Sequence, residues 1–178
     1  WKQISSDLNL TLKDWRTNGN HILLCTQRNG GWSMKGLDVM QWVDKTVKTI
    51  RNYSDRPIVV RGHPGDKHAR VYLKPGRNPI WSLSKNEKIV DDFRNAWAVV
   101  TYNSSPGVAS AIEGIPVFVT DHTPQISQAF DVANTDLKNI ENPKTFDRKH
   151  WVEKLSMCHW KFEELSNGAA WTHMRKYV

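Results

Sequence analysis

Two short runs in this 178-residue chain carry side chains suited to holding an anion: Arg61-Gly62-His63-Pro64 and Asn103-Ser104-Ser105-Pro106-Gly107. Imidazole, guanidinium and hydroxyl groups all donate hydrogen bonds, and a phosphate accepts several at once. In the second run the polar residues arrive where an apolar stretch through Val99 and Val100 gives out. Ser104 or Ser105 is expected to cap a following helix, Pro106 suits its first turn, and Gly107 lets a ligand approach the backbone. A helix starting there turns free N–H groups and the positive end of its dipole toward a ligand, which favours an anion. An ordinary strand-helix-strand crossover explains the same residues, so this run alone does not decide. His63 adds weight because it follows a predicted strand from Pro57 to Arg61. Ligands of open parallel sheets bind beyond the carboxyl ends of strands where the strand order reverses. Arg61 and His63 are therefore expected to face the same crevice as the serines. His63 is the candidate catalytic residue, donating to a leaving group as negative charge develops on it. The competing expectation for a histidine before proline is a turn residue with a satisfied ring.

The elements needed to position these groups follow from the apolar pattern. His21 to Thr26 reads as a first buried strand, followed by the loop Gln27-Arg28-Asn29-Gly30-Gly31-Trp32-Ser33. Val39, Trp42, Val43, Thr46, Val47 and Ile50 recur at helical spacing and predict a helix from Asp38 to Tyr53. Residues 66–82 contain Lys74-Pro75-Gly76-Arg77-Asn78-Pro79, a turn or loop, before a short stretch from Ile80 to Ser82. Ser84 and Glu87 have capping-box spacing and predict a helix to about Asn95, ahead of the strand that includes Ala98. Val108, Ala111 and Ile112 form the apolar side of the helix after the serines, Gly114 ends it, and Pro116 to Val119 is the next strand. Thr120-Asp121-His122-Thr123-Pro124-Gln125 is expected to rim the same crevice, with Thr123 and Pro124 as cap and first residue of a further helix and with Asp121 and His122 as contact candidates. Asp147 is a plausible cap for a helix on which Trp151, Leu155, Cys158, Phe162 and Leu165 mark one packed face. The alternation of strands and helices predicts an α/β, Rossmann-like parallel sheet with helices on both faces.

The order of Arg61-Gly62-His63-Pro64, Asn103-Ser104-Ser105-Pro106-Gly107 and Glu113-Gly114-Ile115-Pro116-Val117 resembles the carboxyl-terminal half of GT-B glycosyltransferases. The likeness is to the bacterial capsule group, including Kdo transferases, and more loosely to bacterial sialyltransferases, teichoic-acid polymerases and phage DNA glycosyltransferases. In those families a His-Pro motif and a Ser/Thr-rich turn bind the phosphate of a nucleotide-activated donor, which implies that role for His63, Ser104 and Ser105. Leu12 to Arg16 and Gly19 to Gln27 look like the linker and first strand of the same half, and Trp151 to Trp171 like its terminal helices. The resemblance implies a linker at 1–20, a nucleotide-sugar-binding domain at 21–146 and closing helices at 147–178, with the facing amino-terminal domain absent. Gln27, Arg28 and Gly30 then fall on a loop that approaches the donor, where Arg28 neutralises a diphosphate or reaches the acceptor; a flexible loop with a solvated arginine fits the same residues. Related capsule sequences place a ribose-binding glutamate two residues after the glycine of the serine turn. Here Ala109 stands in that place, and Glu113, one turn later on the same helical face, is the substitute. No cofactor is required beyond the nucleotide-sugar donor, with magnesium as an option held through its diphosphate.

Length and composition agree with one α/β domain: 39% hydrophobic and 24% charged residues are ordinary for a globular chain with a true core. The chain begins at Trp1 rather than Met, as expected of a processed form or fragment, and activity in isolation is not expected. No run approaches the ~20 apolar residues of a membrane span, and no secretory leader is recognisable, so a cytoplasmic protein is expected. Cys25 on a predicted strand and Cys158 on a predicted helix suit a reducing compartment. A net charge of +7 favours an anionic partner. Three functions stay open: sugar transfer to a polysaccharide or DNA acceptor, polyol-phosphate transfer of the teichoic-acid type using the same cradle, and a non-catalytic basic nucleic-acid-binding module. Most of the nine tryptophans are expected in the core or an interface, with Trp32 the candidate for stacking and Trp160 and Trp171 the candidates for exposure.

Overall fold

The run His21–Cys25 is apolar on both of its alternating sets of side chains, which suits only a strand covered on both faces. In the computed structural model, which describes residues 1–75, 80–123 and 126–177, this run is β1 at the centre of a five-stranded sheet. The other strands are β2 (Ile58–Arg61), β3 (Ser82–Leu83), β4 (Ala96–Thr101) and β5 (Val117–Val119). All pairings are parallel and the order is β3-β2-β1-β4-β5, a Rossmann-like arrangement. The helices are α1 (Lys2–Asp7), α2 (Val39–Arg51), α3 (Ala69–Tyr72), α4 (Ile89–Phe93), α5 (Pro106–Ile112), α6 (Lys149–Ser156), α7 (Phe162–Ser166) and α8 (Ala169–Met174).

Ile22 and Leu24 point to one face, where Val60, Val100 and Phe118 meet Val43, Val47 and Ile50 of α2. Leu23 and Cys25 point to the other, against Phe93 of α4, Ile115 and Val99. A third cluster joins Ala111 and Ile112 of α5 to Val117, Val119, Trp151 and Val152. Each fully buried Val, Leu, Ile or Phe contributes about 1.5–3 kcal/mol, so the periodicity of α2 is itself a large part of its stability. Asp38, expected as the first residue of that helix, instead caps it by accepting the Gln41 N–H at 3.0 Å.

Local expectations fail at four places, each for a visible reason. The capping box at Ser84 does not form: Ser84 donates to Asp92 and accepts the Asn86 N–H, while Arg61 seizes the carbonyls of Asn86 and Glu87, so α4 begins only at Ile89. Ile80 to Ser82 pairs one residue later than expected, as Ser82–Leu83 beside Val59 and Val60; Gly76 to Pro79 of the expected turn lie outside the described residues. The helix expected to carry Trp151 through Leu165 is broken into α6 and α7, and its expected packed face ends early: Trp151 is buried, but Phe162 is 90% and Leu165 52% exposed. Cys158 accordingly sits exposed in a turn after α6.

Residues 8–20 run as a strap along α5 and β4. Lys13 N–H donates to Ile112 O, Arg16 N–H to Gly114 O, and the Arg16 guanidinium to the carbonyls of Phe93 and Ala96. Gly114 ends α5 at φ +76°, and a Cβ there stands 2.0 Å from the Asp14 carbonyl oxygen. Two constraints thus coincide at one glycine, left-handed backbone and contact with the strap. Gly114→Ala is expected to cost at least about 2 kcal/mol in chemical denaturation. A loss below roughly 0.5 kcal/mol would show that the strap does not lie there.

Candidate functional site

The strand order reverses between β1 and β4: β1 leads into α2 on one face of the sheet and β4 into α5 on the other. A crevice opens where such connections diverge. Here it is a cleft of about 690 Å3, with Thr26 past β1, His63 past β2, and Ser104 and Ser105 past β4 on its walls. The two motifs read from the sequence therefore meet. The opposite wall is apolar, built from Ile89 and Phe93 of α4, Ala109 and Ile112 of α5, and Leu10 of the strap.

His63 is held at both ends. Its N–H donates to Thr26 Oγ1 at 3.1 Å, and its Nδ1 accepts the Gly65 N–H at 3.0 Å. With Nδ1 an acceptor, the neutral ring carries its proton on Nε2, which becomes its donor. Ser104 Oγ is buried at the cleft without a hydrogen-bond partner among the described residues. Leaving a buried hydroxyl unpaired costs about 1–3 kcal/mol, and because this oxygen is sealed from solvent it meets a ligand in the cleft only after its side chain rotates.

The serine turn differs in detail from its expected form. Neither hydroxyl caps α5. Pro106 has no N–H, and the Gly107 and Val108 N–H groups donate back to Ser104 O and Ser105 O, so the first turn of the helix offers little to a ligand. The available backbone donors lie one step earlier: among the described residues the Ser104 and Ser105 N–H groups meet no acceptor. Gly107 is glycine for packing, since a Cβ there meets Ala129 Cβ at 3.2 Å and Val117 Cγ1 at 3.4 Å.

Other candidates are committed elsewhere. The Arg61 guanidinium forms an ion pair with buried Asp92 and donates to the carbonyls of Asn86 and Glu87, so its charge is compensated within the protein. Gln27, only 5% exposed, accepts the Asn103 N–H at 3.0 Å and donates to Ser33 Oγ at 2.8 Å. Asn103 in turn donates to Ser33 O and Asp121, so both amides are braces. Arg28 and Gly30 are exposed on the loop and do not line the cleft. Glu113 lines it, with its carboxylate paired to Lys13. Asp121 is buried by Asn103, Lys35 and Thr123, and His122 is exposed. Of the expected helix start after β5, Thr123 accepts from Lys35 Nζ, and Pro124 and Gln125 lie outside the described residues.

Thr26 and the apolar wall were missed by sequence reasoning; the only available signal for Thr26 was its place one residue past a buried strand. Burial pushes the Cys25 thiol up to about 12, so it lines the cleft as an inert neutral group. Burial also raises the Asp121 carboxyl, but hydrogen bonds from Asn103, Lys35 and Thr123 outweigh it and hold the group at about 2. Among the described residues no three His, Cys, Asp or Glu side chains gather as metal ligands, and no helix is long and apolar enough to cross a membrane.

No family model and no curated protein matches the chain. Among solved structures it is similar to a Listeria monocytogenes protein assigned as a UDP-N-acetylglucosamine 2-epimerase, at 18% identity and a TM-score of 0.35, covering 79% of this chain and 38% of that one. The chain thus spans well under half of that protein's length.

Asp121 carries a pH signature. Its folded pKa lies below the unfolded value near 3.9, so its contribution is complete above about pH 4 and is lost as pH falls toward 2. Wild type is expected to lose about 2 kcal/mol more than Asp121→Asn across that window in denaturant titrations, and parallel curves would contradict the assignment.

Proposed function

We propose that this chain is the donor-binding domain of a GT-B-type glycosyltransferase, holding a nucleotide-activated sugar by its phosphates. The observation that carries the proposal is the convergence of His63, Ser104 and Ser105 on one cleft where the strand order reverses. An imidazole N–H, two hydroxyls and two backbone N–H groups suit the several acceptor oxygens of a phosphate. The apolar wall of Ile89, Phe93 and Ile112 suits the less polar part of the same ligand.

In the proposed reaction an acceptor hydroxyl attacks the anomeric carbon, the bond from that carbon to the phosphate oxygen breaks, and its electron pair stays on the phosphate. Donors fixed at that oxygen stabilise the charge as it forms. His63 Nε2–H and the serine hydroxyls take this role. The acceptor's proton goes to a base that a facing domain supplies, and any magnesium comes on the donor's diphosphate, with oxygen and water ligands. The acceptor is a polysaccharide, and residues 1–20 and 147–178 join the donor domain to its partner.

Calorimetric titration with UDP, CMP, GDP and ADP tests the proposal. At least one nucleotide is expected to bind, with His63→Ala and Ser104→Ala each weakening it roughly 10- to 100-fold while the denaturation midpoint of His63→Ala stays near wild type. Absence of binding by all four, or binding indifferent to both substitutions, would overturn it.

A further inference from the structure

We propose that the turn after β1 forms a carbohydrate-binding subsite, with Trp32 as its platform. Trp32 is 93% exposed, an unusual position for so large an apolar surface. Its neighbours are fixed. Ser33 is held by Gln27 and Asn103, Met34 is fully buried, and Lys35, at φ 53°, reaches Asp121 Oδ1 at 3.0 Å and Thr123 Oγ1 at 2.6 Å. The indole is therefore presented to solvent by a braced turn.

Beside it lies a cavity of about 270 Å3, walled by Trp32 and Leu37, floored by Gly30, Gly31 and Gly36, and bounded by Asn29 and Asp38. A Cβ at Gly30 or Gly36 would meet nothing within 4 Å, so the backbone there is open to close approach. Asp38 Oδ1 accepts the Gln41 N–H, and Oδ2 accepts only the Asn29 amide at 3.3 Å among the described residues. That leaves acceptor capacity beside an aromatic face. A pyranose matches it, because its C–H face packs on an indole while its hydroxyls donate to a carboxylate. A nucleic acid matches less well, since its phosphates meet the Asp38 charge.

The subsite is linked to the cleft's serine turn by one brace. Ser33 O accepts from the side chain of Asn103, which precedes Ser104, so two peptide steps, the Asn103 side chain and one hydrogen bond separate Trp32 from Ser104, a span of at most roughly 17 Å between Cα atoms. Sugar binding at Trp32 stands on these observations alone. Its further assignment as the place where a polysaccharide acceptor lies rests on the glycosyltransferase proposal above.

The experiment titrates the whole chain with cello-, malto-, manno- and chito-oligosaccharides and follows the indole N–H resonances by NMR, the Trp32 signal being the one absent from Trp32→Phe. Saturable movement of that signal with at least one sugar is expected, with affinity falling about tenfold or more in Trp32→Ala and a smaller loss in Trp32→Tyr. Exposure of the side chain keeps all three variants folded, which circular dichroism verifies. No movement with any of the sugars overturns the subsite, as does movement with oligo-dT in place of sugar. Sugar binding without binding of any nucleotide leaves the subsite standing and removes its acceptor role, whereas nucleotide binding without sugar binding overturns the subsite and leaves the donor-domain proposal standing.

Discussion

One buried amide holds the two halves of the sheet edge together where their connections part. Backbone pairing between β1 and β4 ends at Cys25 and Thr101, and beyond that point the chains leave for opposite faces. Gln27 spans the divergence with its oxygen on the Asn103 N–H and its nitrogen on Ser33. An amide buried to this degree is costly unless both ends are paired, and pairing both ends dictates where Asn103 and therefore Ser104 begin. The same residue fixes the loop that carries Trp32. Cleft and loop are thus set by one side chain that does not line the cleft.

What the sequence disclosed follows the range of the forces involved. β1, β4 and α2 are visible because burial imposes a period on neighbouring residues, and Ile22, Leu24, Val43 and Val47 obey it whatever surrounds them. The meeting of His63 with the serines was legible for a topological reason: parallel strands put all their carboxyl ends on one edge. The use of each polar group was not. Arg61 looked like an anion ligand until Asp92, far along the chain, claimed it, and the same capture erased the capping box at Ser84. Gln27 and Asn103 carry the right chemistry for a ligand and spend it within the protein, Gln27 on Ser33 and the Asn103 backbone, Asn103 on Ser33 and Asp121. Hydrogen bonds between distant residues leave no periodic trace, so which donors remain free is a tertiary property.

The strap shows a second kind of hidden dependence. Leu10 completes the apolar wall of the cleft and Lys13 engages Glu113, yet the segment is positioned by backbone contacts at the far end of α5 and by Arg148, which bonds Ala111 O and Lys13 O. The cleft wall therefore inherits the stability of the α5 terminus. A change at Gly114 or Arg148, both remote from His63, acts on the cleft through the strap's position.

The charge balance of the cleft bears on its proposed chemistry. The chain carries +7 overall, yet the Arg61 guanidinium is paired with Asp92, and the proposed phosphate end offers imidazole, hydroxyl and backbone donors. In the proposed reaction overall charge steers an anion toward the domain, while oriented hydrogen-bond donors receive it at short range. A fixed cation attracts a ground-state diphosphate strongly whether or not a bond is breaking. Oriented neutral donors gain most when charge concentrates on the one oxygen they face, which happens as the leaving group departs. Interactions that strengthen on the way to the transition state are the ones that accelerate a reaction, so pairing Arg61 with Asp92 is compatible with the proposed catalysis.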